Sequence, residues 1–565
     1  MRDSIIVFAA VAAFFLLLQP AIPLGRELAT CECGAVRDVL AGHLILPAYQ
    51  PDRPLRVVQT PPLFWWEAAL STRLLGWNTV AVRLPSLIAG AATCAVLFAW
   101  LAVVAGRRAA LWSVAVLALG HDFIDTARVP RMDATLVLFV TAATICLERA
   151  LSGAMARRRS AAWYGGAAIL MGLGTLTKGP LGIALPLMAV GLYLVVGGRW
   201  REMVRPPMIA AVLVALIVGG SWYVAAYMAG GMAFVRWQII GGLWGRFIGS
   251  AGPGLCQHPF YYFVPVILAG FLPWSVYLPA VGALVAQRRP LPEALVFSGC
   301  WFTAILVFFS ASHGKCLVYV LPAFPPLAAT IGTTIASLER GDERRGFGLF
   351  DAGTLAVAVS MAAIIIVTLI FCVWGPPAVL ERFLHPTDRQ FLGVFLDEGR
   401  GLNGYFLIWI LGSMIGIGVV VHGLRRGSAG MQAFGVLLIS IAGILLWFDA
   451  LTPVMARAKS LEDFSGVVNA NVPPGTIIHF AGRLEDCDLR FYTRDEIRAD
   501  PNFRCGPQSE PGAYVIFRAS RLSRLTAAEA SCLRLVAESR PVDKAGRRML
   551  FVVTAPGAGP ARPQP

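Results

Sequence analysis

The chain has 565 residues, of which 57% are hydrophobic and only 14% charged, with a formal net charge of +15 and a mean hydropathy of +0.67. Soluble domains carry about 25% charged residues, so a water-soluble enzyme, a disordered chain and a collagen-like chain are excluded. What remains is a polytopic α-helical membrane protein with room for a soluble domain besides its spans.

The first apolar run, from Arg2 to about Leu24, has no small-residue cleavage site behind it and predicts an uncleaved first helix. Further runs of about 20 residues predict spans near 80–105, 109–127, 132–151, 161–177, 179–197, 207–228, 260–285, 292–311, 316–337, 351–374, 402–423 and 431–449. That makes about thirteen transmembrane helices. Arginine clusters at 107–108, 157–159, 199–205, 288–289, 340–345 and 425–426 fall in alternate loops, which the positive-inside rule assigns to the cytoplasm along with the N-terminus. An odd number of spans then exports the C-terminal segment. Residues 1–450 are expected to form the transmembrane domain, with exported loops 25–79, 229–258 and 375–401. In the first loop Pro61–Leu70, which contains Phe64, Trp65 and Trp66, reads as a helix lying along the membrane interface. Residues 451–565 alternate β-type runs (Thr476–Phe480, Ala513–Phe517, Met549–Val553) with helical ones (Leu461–Ala470, Ala527–Glu538), predicting a small exported α/β domain.

The eleven cysteines show no zinc-type spacing, and Cys31-Glu32-Cys33 reads as incidental. Cys487 and Cys505 could pair, because an exported compartment permits disulfides. No long basic arm or basic stripe with interleaved aromatics suggests a nucleic-acid partner.

Ionisable groups at the edges of apolar helices are costly and so are functional candidates. Glu27, Glu32, Asp122, Asp125, Arg128, Arg131, Asp133, Lys178, Arg246, His258, His313 and Lys315 all fall on the exported side of this topology. The chain has four lysines, and the only two before residue 459 are Lys178 and Lys315, each at an exported helix end. Snorkelling to lipid headgroups would explain either lysine alone, and the Arg128–Asp133 cluster could be self-neutralising. Gathered on one side beside apolar grooves, these groups suit a substrate with a charged head and a lipid tail. The aromatics Phe64, Trp65, Trp66, Trp222, Tyr223, Tyr261, Tyr262 and Trp274 suit either interface anchoring or a wall for a prenyl chain.

Several stretches in order carry a resemblance. They are Arg83-Leu84-Pro85-Ser86, Arg128–Asp133 (Arg-Val-Pro-Arg-Met-Asp), Gly174–Pro180 (Gly-Thr-Leu-Thr-Lys-Gly-Pro), Ser221-Trp222-Tyr223, His258-Pro259-Phe260-Tyr261-Tyr262, Leu272–Ser275, and Phe309–Lys315 followed by Tyr319–Pro322. With them the chain resembles the GT-C superfamily of membrane glycosyltransferases, above all the lipid A aminoarabinose (4-amino-4-deoxy-L-arabinose) transferases and the protein O-mannosyltransferases. The resemblance implies a polyprenyl-phosphate-linked sugar donor, a lipid A, glycan or protein acceptor, and a multi-pass protein of the bacterial inner membrane. It places Glu27 at the first-loop acidic position, normally an Asp and the catalytic base, and Asp133 at the second acidic position. Lys178, Lys315, Arg246 and Arg131 would bind the donor phosphate, and His258, Tyr261, His313 and Tyr319 would line the substrate site. Where the family often has Glu-Lys-Pro-Pro, this chain reads Gln59-Thr60-Pro61-Pro62 and so lacks one carboxylate and one cation. No cofactor is assigned, and a divalent metal would find only His258 as a ligand nearby. A lipid or sugar transporter is the alternative from another class, although transporters place such groups near the midplane, often in duplicated halves.

Overall fold

The computed structural model describes residues 2–18, 28–47, 60–152, 157–245, 258–287, 290–341, 345–374, 403–482, 487–500, 512–539 and 548–554; Glu27, Arg246 and Cys505 lie outside them, as does the side chain of Cys487. Among the described residues eight helices are long and apolar enough to cross a membrane: Thr79–Val104, Met132–Leu151, Pro206–Phe234, Glu293–Ala311, Leu317–Glu339, Gly348–Ile370, Gly404–Arg426 and Ala429–Val454. Phe263–Gly270 and Trp274–Gln287 meet at 108° and count as a ninth if the bent pair is one span. The chain is a multi-pass membrane protein.

The first ten helices are α1 (Arg2–Leu17), α2 (Leu28–Leu40), α3 (Leu63–Leu75), α4 (Thr79–Val104), α5 (Arg107–Ala118), α6 (His121–Arg128), α7 (Met132–Leu151), α8 (Arg157–Lys178), α9 (Leu181–Val196) and α10 (Pro206–Phe234). The expected single span over 109–127 is corrected here. α5 stops at Ala118, Gly120 precedes α6, and α6 carries His121, Asp122, Asp125 and Arg128, too polar a set to continue a bilayer helix. Val129 is extended because the residue before a proline is pushed out of helical geometry, so α6 ends and α7 starts afresh beyond Pro130. The loop expected from residue 229 is also corrected: α10 runs on to Phe234, bent at Gly231, and continues as a wide helical segment over Val235–Trp244.

The side chains of Phe64 and Trp65 face the protein interior. Both are buried with Ala35, Val36 and Val39 of α2, Met132 of α7, Leu176 of α8 and Trp222 of α10. Trp274 is likewise buried in the main core. These aromatics are core residues, whereas Phe260 and Tyr261 are exposed.

The C-terminal region builds a five-stranded sheet ordered β2-β1-β3-β5-β4 from β1 (Ile478–Ala481), β2 (Ile497–Asp500), β3 (Tyr514–Arg518), β4 (Leu533–Glu538) and β5 (Met549–Thr554). β1 pairs in parallel with β2 and β3, while β5 runs antiparallel to β3 and β4. Side chains alternate across the sheet: Ile516 packs with Phe464 and Val468 of the helix Glu462–Asn471, whereas Val515 and Phe517 join the opposite face. The helix expected over 527–538 is a correction. Only Ala527–Ser531 is helical, capped by Thr526 and Glu529, and Leu533–Glu538 is strand β4, because pairing with β5 outweighs the weak local helix signal.

This region is held against α2. Arg37 donates to the carbonyls of Phe491 (3.1 Å) and Thr493 (3.2 Å) and lies 4.8 Å over the Trp77 ring. Trp77 Nε1 donates to the same Phe491 carbonyl at 3.1 Å, and Cys33 and Val82 pack on the Phe491 ring. Arg37→Ala removes both charge-assisted bonds, worth about 1.5–3 kcal/mol each. In detergent this variant is expected to release a C-terminal fragment to protease faster than the wild type, with the membrane part intact; equal release rates would reject the clasp.

Candidate active site

The site grows from two helix ends. Arg131 caps α7 and Asp133 sits in its first turn, where the positive end of the helix dipole favours a carboxylate. Lys178 is the last residue of α8, where the opposite end of the dipole favours a cation. Gly179 follows with φ of 78°, its N–H bonded to the Thr175 carbonyl at 2.9 Å, and Pro180 then prevents continuation. Arg131 is fixed from α4: Ser86 Oγ donates to the Arg131 carbonyl (3.0 Å) and accepts from the Arg131 N–H (3.1 Å).

Both oxygens of Asp133 are engaged. Lys178 Nζ donates to Oδ1, and Arg131 Nε donates to Oδ2 at 3.2 Å. The Asp133 side chain is 5% exposed, against 14% for Lys178 and 25% for Arg131. The surface that a ligand meets is therefore cationic, with the carboxylate behind it. Lys178 Nζ also lies 5.1 Å over the ring of Tyr319, a cation–π arrangement.

Glu32 belongs to the same centre. It is buried on α2 and accepts a hydrogen bond from Trp65 Nε1. Burial pushes its carboxyl up to about 7 and Asp133 pushes the same way, against the Trp65 hydrogen bond, Arg131 and Lys178. Two residues along α7, Thr135 Oγ1 approaches Glu67 Oε2 at 3.5 Å, and burial pushes the Glu67 carboxyl up to about 7 as well.

Of the residues expected here from the sequence, the structure joins Asp133, Arg131, Lys178 and Tyr319. Glu27 and Arg246 fall outside the described residues. Lys315 is buried, but its ammonium bonds the Ser312 carbonyl; His313 and Tyr261 are exposed. His258 stacks on Tyr262 at 3.9 Å. From there a run of ring contacts passes through Phe263 and Phe309 to Tyr319. Arg128, grouped with the site by sequence, turns away: it donates to the Leu18 carbonyl and lies 4.2 Å over the Phe448 ring. Glu32 had a legible signal, for it stands one turn before Ala35, Val36 and Val39 on the apolar stripe of α2. Among the described residues no group of three His, Cys, Asp or Glu side chains gathers as a metal site. Cys33 packs on Phe491 while its neighbour Glu32 accepts from Trp65.

Structures of ArnT from Cupriavidus metallidurans superpose with a TM-score of 0.76 when bound to undecaprenyl phosphate and 0.75 in the apo state, at 20% identity over 99% of each chain. In sequence the chain is similar to curated arabinosyl transferases. It is 29% identical over 290 residues to the undecaprenyl phosphate-alpha-4-amino-4-deoxy-L-arabinose arabinosyl transferase of Pectobacterium carotovorum, covering 50% of each chain. To the enzyme of the same name from Pseudomonas aeruginosa it is 30% identical over 327 residues, 55% of this chain and 56% of that one. The chain thus spans about half the length of the curated relatives it matches. The family described as dolichyl-phosphate-mannose-protein mannosyltransferase matches residues 59–224, the segment that carries Ser86, Arg131, Asp133 and Lys178.

Proposed function

We propose that this protein transfers a sugar from a polyprenyl-phosphate donor to a lipid A-like acceptor at the exported face of the bacterial inner membrane. The observation that carries this reading is the paired centre itself: a buried carboxylate holds two cations in place and leaves their outer surfaces toward the substrate side. Lysine has three N–H donors, and Asp133 takes one from Lys178, so the same ammonium can meet a phosphate oxygen. Displacement at the sugar C1 sends the electron pair onto the polyprenyl phosphate. Preorganised cations stabilise that growing charge without reorganising. Lys315 and Arg246 are proposed as further phosphate cations, Glu27 as a further carboxylate, and His258, Tyr261, His313 and Tyr319 as lining. The arabinosyl transferases among the relatives favour a pentosyl over a hexosyl donor.

The proposed topology has a cytoplasmic N-terminus, a multi-pass transferase domain over 1–450 and a periplasmic domain over 451–565. The match to the mannosyltransferase family supports one second reading, transfer to a protein hydroxyl. The test is direct. Purified protein is given a radiolabelled undecaprenyl-phosphate sugar with lipid A or with a Ser/Thr-containing peptide. Label on lipid A, with release of undecaprenyl phosphate, is the expected result. Label on the peptide selects the second reading, and donor that crosses a vesicle membrane unchanged would make the protein a transporter.

A further inference from the structure

The transfer needs a base wherever the attacking acceptor oxygen carries a proton, and Asp133 is poorly suited to that task. Each of its oxygens is engaged by a cation, Oδ1 by Lys178 and Oδ2 by Arg131. Neither oxygen is left facing the acceptor without a cation on it. The work of Asp133 is to fix the two cations.

We propose that Glu32, a residue with no role in the sequence-based assignment, accepts the acceptor's proton. This rests on the transferase reading above. Glu32 is brought to the centre by α2, whose stripe of Ala35, Val36 and Val39 packs on α3 and seats the carboxylate against the Trp65 indole. The charged groups that act on it from the neighbouring elements are Asp133 of α7, Arg131 at the cap of α7 and Lys178 of α8. Ala35, Val36 and Trp65 pack in one cluster with Met132, which stands between Arg131 and Asp133, and with Leu176, two residues before Lys178; Glu32 is thus set beside the paired cations on which the donor phosphate would rest, and the acceptor approaching C1 must come close to that pair. In the step, the acceptor oxygen bonds to C1 and its proton passes to the Glu32 carboxylate. The bond from C1 to the phosphate oxygen breaks, with its electron pair leaving on the polyprenyl phosphate. A base works best with a proton affinity near the ambient pH, and burial has raised that of Glu32 to about 7.

The experiment is the pH profile of kcat/KM for the full-length protein in detergent with radiolabelled undecaprenyl-phosphate sugar and lipid A. A general base must be deprotonated to act, so the wild-type rate is expected to rise with pH and level off near 7. Glu32→Gln is expected to lose about 10²–10⁴-fold and to lose that break, while still binding undecaprenyl phosphate. Glu32→Asp is expected to recover part of the rate. Trp65→Phe, which removes the hydrogen bond that stabilises the charged form, is expected to move the break to higher pH. The proposal is overturned if Glu32→Gln stays within ten-fold of wild type with an unmoved break, which would then belong to the acceptor phosphate. It is equally overturned if Glu27→Gln or Glu67→Gln removes the break instead. Wild-type protein that turns over no donor with any acceptor would sink the transferase reading itself, a result separate from a fully active Glu32→Gln.

Discussion

Lys178→Met is expected to reduce sugar transfer by about 10²–10³-fold, the scale seen when one preorganised electrostatic group is removed from a transition state. The ammonium sits at a junction: it pairs with Asp133, faces the Tyr319 ring and closes α8. Without it Asp133 retains only Arg131, so the buried carboxylate loses part of its compensation. The thermal midpoint in detergent is therefore expected to drop along with activity. Lys178→Met combined with Asp133→Asn separates the two effects. With both charges gone the buried carboxylate is removed and only Arg131, 25% exposed and within reach of water, is left without its partner, so the midpoint is expected to recover part of the loss, while transfer stays low. Lys178→Arg is not expected to rescue, because a planar fork replaces a compact point charge. A Lys178→Met protein with wild-type turnover would remove the cation from the chemistry altogether.

The residues of this pair were legible in the sequence because each breaks a local rule. A lysine ending an apolar helix in an arginine-using chain, and an aspartate in the first turn of another, are costly unless they meet. What the sequence could not supply is distance. Nothing in the spacing of Arg128, Arg131 and Asp133 says that Arg128 turns to Phe448 while Arg131 turns to Asp133; the extended Val129-Pro130 link between α6 and α7 decides that. Aromatic residues are hard to place for a related reason. Composition cannot tell a tryptophan at a membrane surface from one in a core, and Trp65, Trp222 and Trp274 are all in cores. Periodicity located the apolar runs, yet it could not see that Gly120 splits one of them or that β5 recruits Leu533–Glu538 into a strand. Glu32 stands in the sequence as one ionisable group among twelve, and its place on the α2 stripe is the feature that sets it apart.

The position of Lys178 depends on how closely its helix is gripped, which leads to a second large effect. A Cβ on Gly182 of α9 would lie 2.2 Å from the Gly174 carbonyl carbon and 2.2 Å from the Thr175 amide nitrogen of α8. On the other side, a Cβ on Gly219 of α10 would lie 2.6 Å from the Thr175 Cβ. α8 is clasped between two neighbours through small residues, the contact that lets membrane helices approach at backbone distance. Thr175 is less than one turn from Lys178, so a shift there carries the ammonium with it. Gly182→Ala meets backbone atoms that cannot rotate aside, and overpacking of this kind costs about 1–3 kcal/mol or more. The variant is expected to show a lower thermal midpoint and a loss of transfer that exceeds its loss of folded protein, since the cation moves off Asp133. Gly165→Ala provides the contrast on the same helix, because a Cβ there meets nothing within 4 Å. It is expected to be neutral or slightly stabilising, alanine being the better helix former by about 1 kcal/mol. If the two alanines behave alike in both the midpoint and the turnover of the folded fraction, the α8–α9 contact does not set the lysine, and the register of the paired centre must be fixed from α4 and α7 alone.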